Sequence, residues 1–420
     1  MISRQEAEDV ATVWARRESD RRGYECSPEL REFDLGYLVW SRPPAGVLPV
    51  PGDGTPTVID RETGELSSWP ALPPEAVQEQ YRRHRARRGA VVRTADPAVE
   101  LRRDTARSPT PGTAAHLTAG GGELFVARGA KGDQGLRHHP LVRDYLDDLP
   151  IGQLTRGGDR HAELLVVSDA LHEYDRRRGA AGQPPLSYEQ ARELLTGAAL
   201  QIFRVREPGD PRGGPAERPC ESCIRALVYF GVLPWVELTH TEEWSHGRLG
   251  LAPPPMPMPV LEPGRFPPGV GEALFESGWR PSFANEGYAI AAIQRTLPVV
   301  GRRHRHEVFP AAHEALSAFP SVESGRRGPG ERSWIRRFSV NPVEAAHSAD
   351  TLADFSAVLG SRLFPVGTEG GDSILAVDEH GRVFALDQAG EWFLGDDIET
   401  ALIGLLLGRG AARVHDDGRW

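Results

Sequence analysis

Between Glu163 and Arg178 the apolar residues Leu164, Val167, Leu171 and Tyr174 fall three and four positions apart, the spacing of one helix face. Met1 to Arg17 is charged and amphipathic, and Ser3 followed by Glu6 is a capping box that opens a helix. Phe33 to Trp40 and Thr57 to Ile59 read as strands, with Glu62-Thr63-Gly64 as a turn before Leu66. Pro73-Pro74 opens a helix through Gln78 and Tyr81 to Arg88. Further on, strands are predicted at Glu123 to Arg128, Ala198 to Val205 and Pro234 to Leu238. Helices are predicted at Leu141 to Leu149, Tyr188 to Leu195 and Cys220 to Phe230. Strands alternating with helices predict an α/β layer structure. The last third opens with a helix ending at Gly278-Trp279. It continues with strands at Leu363 to Val366, Ser373 to Val377, Val383 to Leu386 and Trp392 to Leu394, and closes with a helix over Asp396 to Leu407. Asp378 to Gly381 has hairpin chemistry, and the segment reads as α+β.

These elements divide the chain. A small α+β domain is expected over 1–92, then a polar linker at 93–112 bearing Pro97, Pro109 and Pro111. A central α/β domain follows over 113–245. A second linker at 246–265 contains the run Pro253-Pro254-Pro255-Met256-Pro257-Met258-Pro259, expected to be an extended spacer. An α+β domain over 266–413 and a tail at 414–420 complete the order. No internal repeat is visible.

Composition narrows the classes. Charged residues are 26% and hydrophobic residues 39%, values of a globular chain. A net charge of −10 argues against a protein that coats duplex nucleic acid, while leaving room for one local basic groove. No apolar run reaches the roughly 18 residues of a membrane span, and the charged N-terminus does not read as a secretory signal. Three cysteines are too few for a disulfide framework, so a reducing cytoplasm is the expected compartment.

Two short pieces carry chemistry: His161-Ala162-Glu163 and, further along, Pro219-Cys220-Glu221-Ser222-Cys223. A catalytic zinc takes three protein ligands and keeps a fourth position for water. One imidazole, His161, and two thiolates, Cys220 and Cys223, supply such a set. Cysteines three apart at a helix start can face one metal, and the helix dipole favours their thiolate form. Zinc lowers the pKa of its water to near 7. Glu163, two residues after His161, can reach that water without being a ligand and can carry its protons. A lone Cys-x-x-Cys also fits a thioredoxin-like redox pair. The ordered combination His-x-Glu followed by Pro-Cys-x-x-Cys is the signature of zinc-dependent base deaminases, whose hydroxide attacks an amidine carbon.

The middle segment resembles the YwqJ-like deaminases, a branch of the cytidine-deaminase-like superfamily. Beyond the metal motifs, the resemblance rests on Gly129-Ala130-Lys131-Gly132, His139-Pro140-Leu141-Val142, and Arg160 to Glu163 followed by Leu165, Ser168 and Ala170-Leu171. Many relatives carry Cys where this chain has His161, and either ligand suits zinc. The resemblance implies a zinc-dependent α/β/α deaminase fold, a nucleobase-containing substrate and a link to bacterial toxin systems. The last segment resembles the SUKH superfamily of immunity proteins. That resemblance rests on Gly278-Trp279-Arg280-Pro281, Arg337 to Pro342, Gly360, Leu363 to Gly367 and Asp378 to Phe384, although Pro320 to Gly328 lacks the Gly-Gly-Leu turn common in relatives. The first segment resembles the small YrhB-type immunity domain through Phe33 to Tyr37, Val58 to Gly64, Trp69-Pro70 and Tyr81. Both flanks imply a protein toxin as a partner.

Two functions follow: an enzyme that deaminates a base, nucleoside, nucleotide or single-stranded nucleic acid, or a toxin-neutralising protein in which the deaminase-like domain is a scaffold. The basic runs Arg82 to Arg88, Arg176 to Arg178 and Arg302 to Arg305 read as solvated or capping residues. His138 and His139 read as loop residues, Gly120-Gly121-Gly122 as a turn, and Cys26 as a buried apolar residue. The substrate-binding residues are unknown from sequence, with Gly179 to Pro185 and Glu207 to Arg218 as the candidate loops.

Overall fold

The computed structural model describes residues 1–47, 56–70, 72–87, 97–98, 101, 105, 110–133, 135–216, 218–238, 264–280 and 285–420. The proline run at 253–259 therefore lies outside the described residues, as does Pro281.

Helix α1 (Arg4–Arg22) starts on the expected capping box, with both reciprocal Ser3–Glu6 bonds formed, and ends on Gly23 in the left-handed conformation. It runs past Arg17 because nothing before Gly23 stops it. The single strand expected at 33–40 is instead a hairpin: β1 (Ser27–Phe33) turns at Asp34-Leu35 into β2 (Gly36–Arg42). Only Phe33 of β1 is buried, so the strand carries too little alternation to be read from sequence. β3 (Thr57–Asp60) and β4 (Leu66–Ser68) complete an antiparallel sheet in the order β1-β2-β3-β4. Its alternate residues serve two cores. Tyr37, Val39 and Ile59 pack with α1, while Leu38 and Val58 pack with Val77 and Tyr81 of α2 (Pro74–Arg87). Part of the expected linker at 93–112 joins this unit: residues 97, 98, 101 and 105 are helical, and Ala98 and Leu101 are buried in the α1 core.

The central sheet has the order β6-β5-β7-β8, formed by β5 (Gly112–Thr118), β6 (Leu124–Arg128), β7 (Ala199–Val205) and β8 (Gly214–Pro215), all pairs antiparallel. Strand β5 was not predicted and occupies the sheet centre. Its Ala115 and Leu117, with Phe125 and Ala127 of β6, meet one shared core. That core is filled from α3 (Pro140–Asp147), α4 (Ala162–Ala180), α5 (Tyr188–Leu195) and α6 (Glu221–Tyr229). Eleven residues of α4 are buried, so its apolar stripe spreads around most of its first three turns. The strand expected at 234–238 is a turn of helix, with Glu237 and Leu238 donating to the carbonyls of Pro234 and Trp235.

The last segment is a seven-stranded antiparallel sheet in the order β15-β14-β13-β12-β11-β10-β9. Its long members are β11 (Leu363–Glu369), β12 (Ser373–Asp378), β13 (Val383–Asp387) and β14 (Gly390–Gly395); β9 (Glu323–Ser324), β10 (Phe338–Ser339) and β15 (Ala412–Arg413) are short. One face packs on α7 (Val270–Glu276), α8 (Glu286–Thr296), α9 (Pro310–Ala318) and α11 (Ile398–Leu407). The other face carries Leu363, Ile374, Phe384 and Leu386 against Leu352 and Phe355 of α10 (Ala349–Leu359). Both faces are covered, which is why β11 to β13 are apolar at nearly every position. Helices α8 to α10 were not predicted. No described helix is long and apolar enough to cross a membrane.

Candidate metal and catalytic site

Two helix N-termini converge. His161 is the N-cap of α4 and Cys220 the N-cap of α6; both have extended backbone, and neither side chain is used for capping. Both side chains therefore remain available as ligands. Cys223 stands in the first turn of α6. The Nδ1 of His161 lies 3.4 Å from the Sγ of Cys220 and 3.4 Å from that of Cys223. The three ligand atoms all fall within 4.8 Å of one another. Nitrogen and sulfur ligands bound to one tetrahedral zinc at about 2.0–2.3 Å lie roughly 3.6 Å apart. The donor set and its spacing therefore fit zinc.

Glu163, in the first turn of α4, is 2% exposed, and its Oε2 has no hydrogen-bond partner among the described residues. A buried carboxylate oxygen without a partner is costly unless a ligand or water satisfies it. Burial pushes the Glu163 carboxyl up to about 7, opposed by His161 and reinforced by Cys220. Burial works against a charge on His161, yet the Cys220 thiolate raises that imidazole to about 9. Cys220 is held well below the ordinary thiol value, first by the Cys223 thiol donating to it and then by His161. Ser222 Oγ lies 3.4 Å from the same sulfur and donates to Thr155 Oγ1 at 2.9 Å, tying α6 to the loop before α4.

The site opens into a cavity of about 390 Å³. Glu163, Pro219, Cys220 and Ile224 line it from the central segment, together with Ile202 and Arg204 of β7. Arg327, Arg336, Arg337, Asp372 and Gln388 line it from the last segment. Of the candidate loops, 207–218 reaches the cavity through Ala216 and Arg218, whereas 179–185 does not line it. The wall from the last segment escaped sequence reading, because paired arginines in short polar loops look the same whether they are solvated or buried. Arg336 is buried and pairs with Asp372. Burial alone would raise Asp372, but Arg336 and Arg206 bring its carboxyl down to about 2. Gly370 and Gly371, both at positive φ, form the turn before Asp372, and a Cβ on Gly370 would strike the Arg336 guanidinium.

The two segments are joined beside this wall. Gln388 Oε1 accepts from the backbone N–H of Ala162 at 3.1 Å, satisfying a donor that α4 cannot pair internally. Gly129 lets Gln388 approach, since a Cβ there would lie 2.5 Å from its carbonyl oxygen. Arg156, buried, pairs with Glu369 at 2.5 Å and Asp387 at 3.4 Å. Lys131 lies 3.6 Å from Glu391, and Glu207 accepts from the N–H of Thr351 at 2.6 Å.

The remaining singled-out residues have structural partners. His139 caps α3 and lies 2.9 Å from Asp175. Arg176 and Arg177 pair with Glu173, and Arg82 with Asp34. Gly120 to Gly122 turn between β5 and β6. Cys26 is buried in the first segment, outside the cluster formed by His161, Cys220 and Cys223.

An imidazole, two cysteines three apart at a helix start, and a buried glutamate two residues after the histidine match the residue pattern of the zinc-dependent deaminases. Comparison with known families gives the same class. Residues 97–232 match the model of the YwqJ-like deaminase, residues 266–408 that of the SUKH-3 immunity protein, and residues 5–90 that of the Immunity protein 35-like domain. A deaminase segment thus lies between two immunity-type segments, in the order the resemblances implied. The deaminase match begins inside the stretch read as a linker and ends at Val232. No curated protein and no solved structure gives a significant match.

Proposed function

We propose that the central segment is a zinc-dependent deaminase that removes an amino group hydrolytically from a nucleobase, in a cell with a toxin-immunity system. The observation that carries this reading is the cluster of His161, Cys220 and Cys223 at a cavity lined by Cys220 and by Glu163, whose Oε2 has no hydrogen-bond partner among the described residues. His161, Cys220 and Cys223 would hold the zinc. When bound, zinc lowers the pKa of a water and holds it as a nucleophile. Glu163 would take one proton from that water and pass it to the ring nitrogen as the oxygen bonds to the amidine carbon, then take the remaining hydroxyl proton and pass it to the amine, so that the C–N bond breaks and ammonia leaves. Burial keeps the proton affinity of Glu163 close to neutrality, as a group that both takes and gives a proton requires. The cytoplasm, where nucleotides are abundant and thiols stay reduced, is the compartment that suits this chemistry.

The test combines metal analysis with ammonia release from a panel of nucleosides, nucleotides and single-stranded oligonucleotides. About one zinc per chain is expected in the wild type and in Glu163→Gln, and it is lost in Cys220→Ala. Ammonia release falls about 10²–10⁴-fold in Glu163→Gln. Wild-type protein without zinc overturns the proposal. The two immunity-type matches favour a second reading, a toxin-binding protein with a deaminase-like scaffold. Zinc content with no ammonia from any substrate decides for it.

A further inference from the structure

We infer that the cavity is a composite anion site, in which Arg204 of the central segment and Arg337 of the last segment receive the phosphate of a phosphorylated nucleoside. The inference rests on the deaminase reading for the base end of the ligand. Five arginines line the cavity: Arg204, Arg218, Arg327, Arg336 and Arg337. Three are neutralised. Arg336 pairs with Asp372, Arg327 lies 3.2 Å from Glu221, and Arg218 lies 3.3 Å from Glu237. Among the described residues, the side chains of Arg204 and Arg337 have no hydrogen-bond or ion-pair partner. Two uncompensated positive charges thus face one cavity in a chain whose net charge is −10.

Guanidinium groups carry five donors in a planar fork that matches phosphate oxygens, so two of them around one cavity select a phosphate over a neutral sugar. A volume of about 390 Å³ falls within the roughly 300–1,000 Å³ of small-molecule sites. It suits one nucleotide unit, and the acidic balance of the whole chain works against a long polyanion. A free mononucleotide and a single nucleotide of a strand share this phosphate chemistry. The last segment, whose family model is described as an immunity protein, therefore contributes to substrate selection here.

The experiment uses the full zinc-loaded chain. Steady-state ammonia release is measured on cytidine, adenosine and guanosine, on their 5′-monophosphates, and on single-stranded tetranucleotides. One monophosphate is expected to be processed with kcat/KM at least about 10-fold above its nucleoside, the effect of one or more charge-assisted hydrogen bonds. Arg204→Ala and Arg337→Ala each raise KM for the monophosphate about 10-fold, hold kcat within about twofold, and lower kcat/KM for the monophosphate several-fold more than for the nucleoside. Arg204→Lys restores part of the loss by keeping the charge. Turnover of tetranucleotides with inert monophosphates, and the same arginine dependence, supports the phosphate site and makes a strand its source. Equal kcat/KM for nucleoside and monophosphate, or arginine variants that change both alike, overturns the inference while the deaminase reading stands. If nothing releases ammonia, the deaminase reading falls, and calorimetric titration with the same monophosphates decides the inference. Binding that weakens about 10-fold in Arg204→Ala and Arg337→Ala supports it; no binding, or binding indifferent to both, overturns it.

Discussion

Arg156 is buried, yet it stays charged between two carboxylates that belong to a different part of the chain. Burial disfavours its charge, and Glu369 with Asp387 more than restores it. Removing the arginine strands two buried carboxylates, which costs more than the pair itself gains. Arg156→Ala is expected to lower stability by about 3–5 kcal/mol in denaturant unfolding of the full chain. A loss under about 1 kcal/mol would show that solvent already screens the pair. Glu163 presents the opposite case: a buried carboxylate whose Oε2 has no hydrogen-bond partner among the described residues and whose proton affinity burial raises.

At the scale of elements, the same N-cap position is used in two ways. In α1 the Ser3 side chain closes the helix end, whereas in α4 and α6 the N-cap side chains are withheld from the helix and turned toward each other. The free N–H groups there find other partners, as Ala162 does in Gln388. In the first segment, β3 ends on Asp60, which ties it to α2. Tyr81 donates to its carboxylate at 2.6 Å and Arg85 at 2.9 Å. Burial would raise Asp60, but Tyr81, Thr63 and Arg85 together hold it below its ordinary 3.8. A depressed folded value means the contribution is fully present above that ordinary value and is lost as pH falls through the folded one. Hydrogen exchange of β3 is therefore expected to accelerate below about pH 4 in the wild type. In Asp60→Asn it should be fast already at pH 7, with a shallower acid dependence. Identical acid profiles in the two proteins would remove Asp60 as the cause.

At the scale of the molecule, the central and last segments share buried charges, a backbone cap and the wall of one cavity. Contacts of this kind make two units fold as one. A single calorimetric transition is expected to cover both in the wild type, and Arg156→Ala should split it. Two separate transitions in the wild type would show that the interface adds little stability. The SUKH-like segment thereby acquires a second place in the molecule, as part of the wall of the cavity at Glu163 and Cys220.

The sequence by itself determined the local features. The capping box at Ser3, the periodicity of α4, the hairpin at Asp378 to Gly381 and the strand-forming runs of β11 to β14 each depend on neighbours a few positions away, and each is present. The clustering of His161, Cys220 and Cys223 was legible for a related reason: the metal chemistry expected of them permits few residue types, and helix geometry fixes their spacing. The tertiary structure decided what depends on distant neighbours. β1 has one buried residue and becomes a strand only by pairing with β2. α10 is helical where its Leu352 and Phe355 meet the far face of a sheet formed later in the chain. Arg336, Arg337 and Asp372 lie more than a hundred residues from Cys220, and only packing between segments brings them to the same cavity. Short-range rules set which helices and turns form and which residues can bind a metal, while burial and pairing across the chain set which charges remain free to meet a substrate.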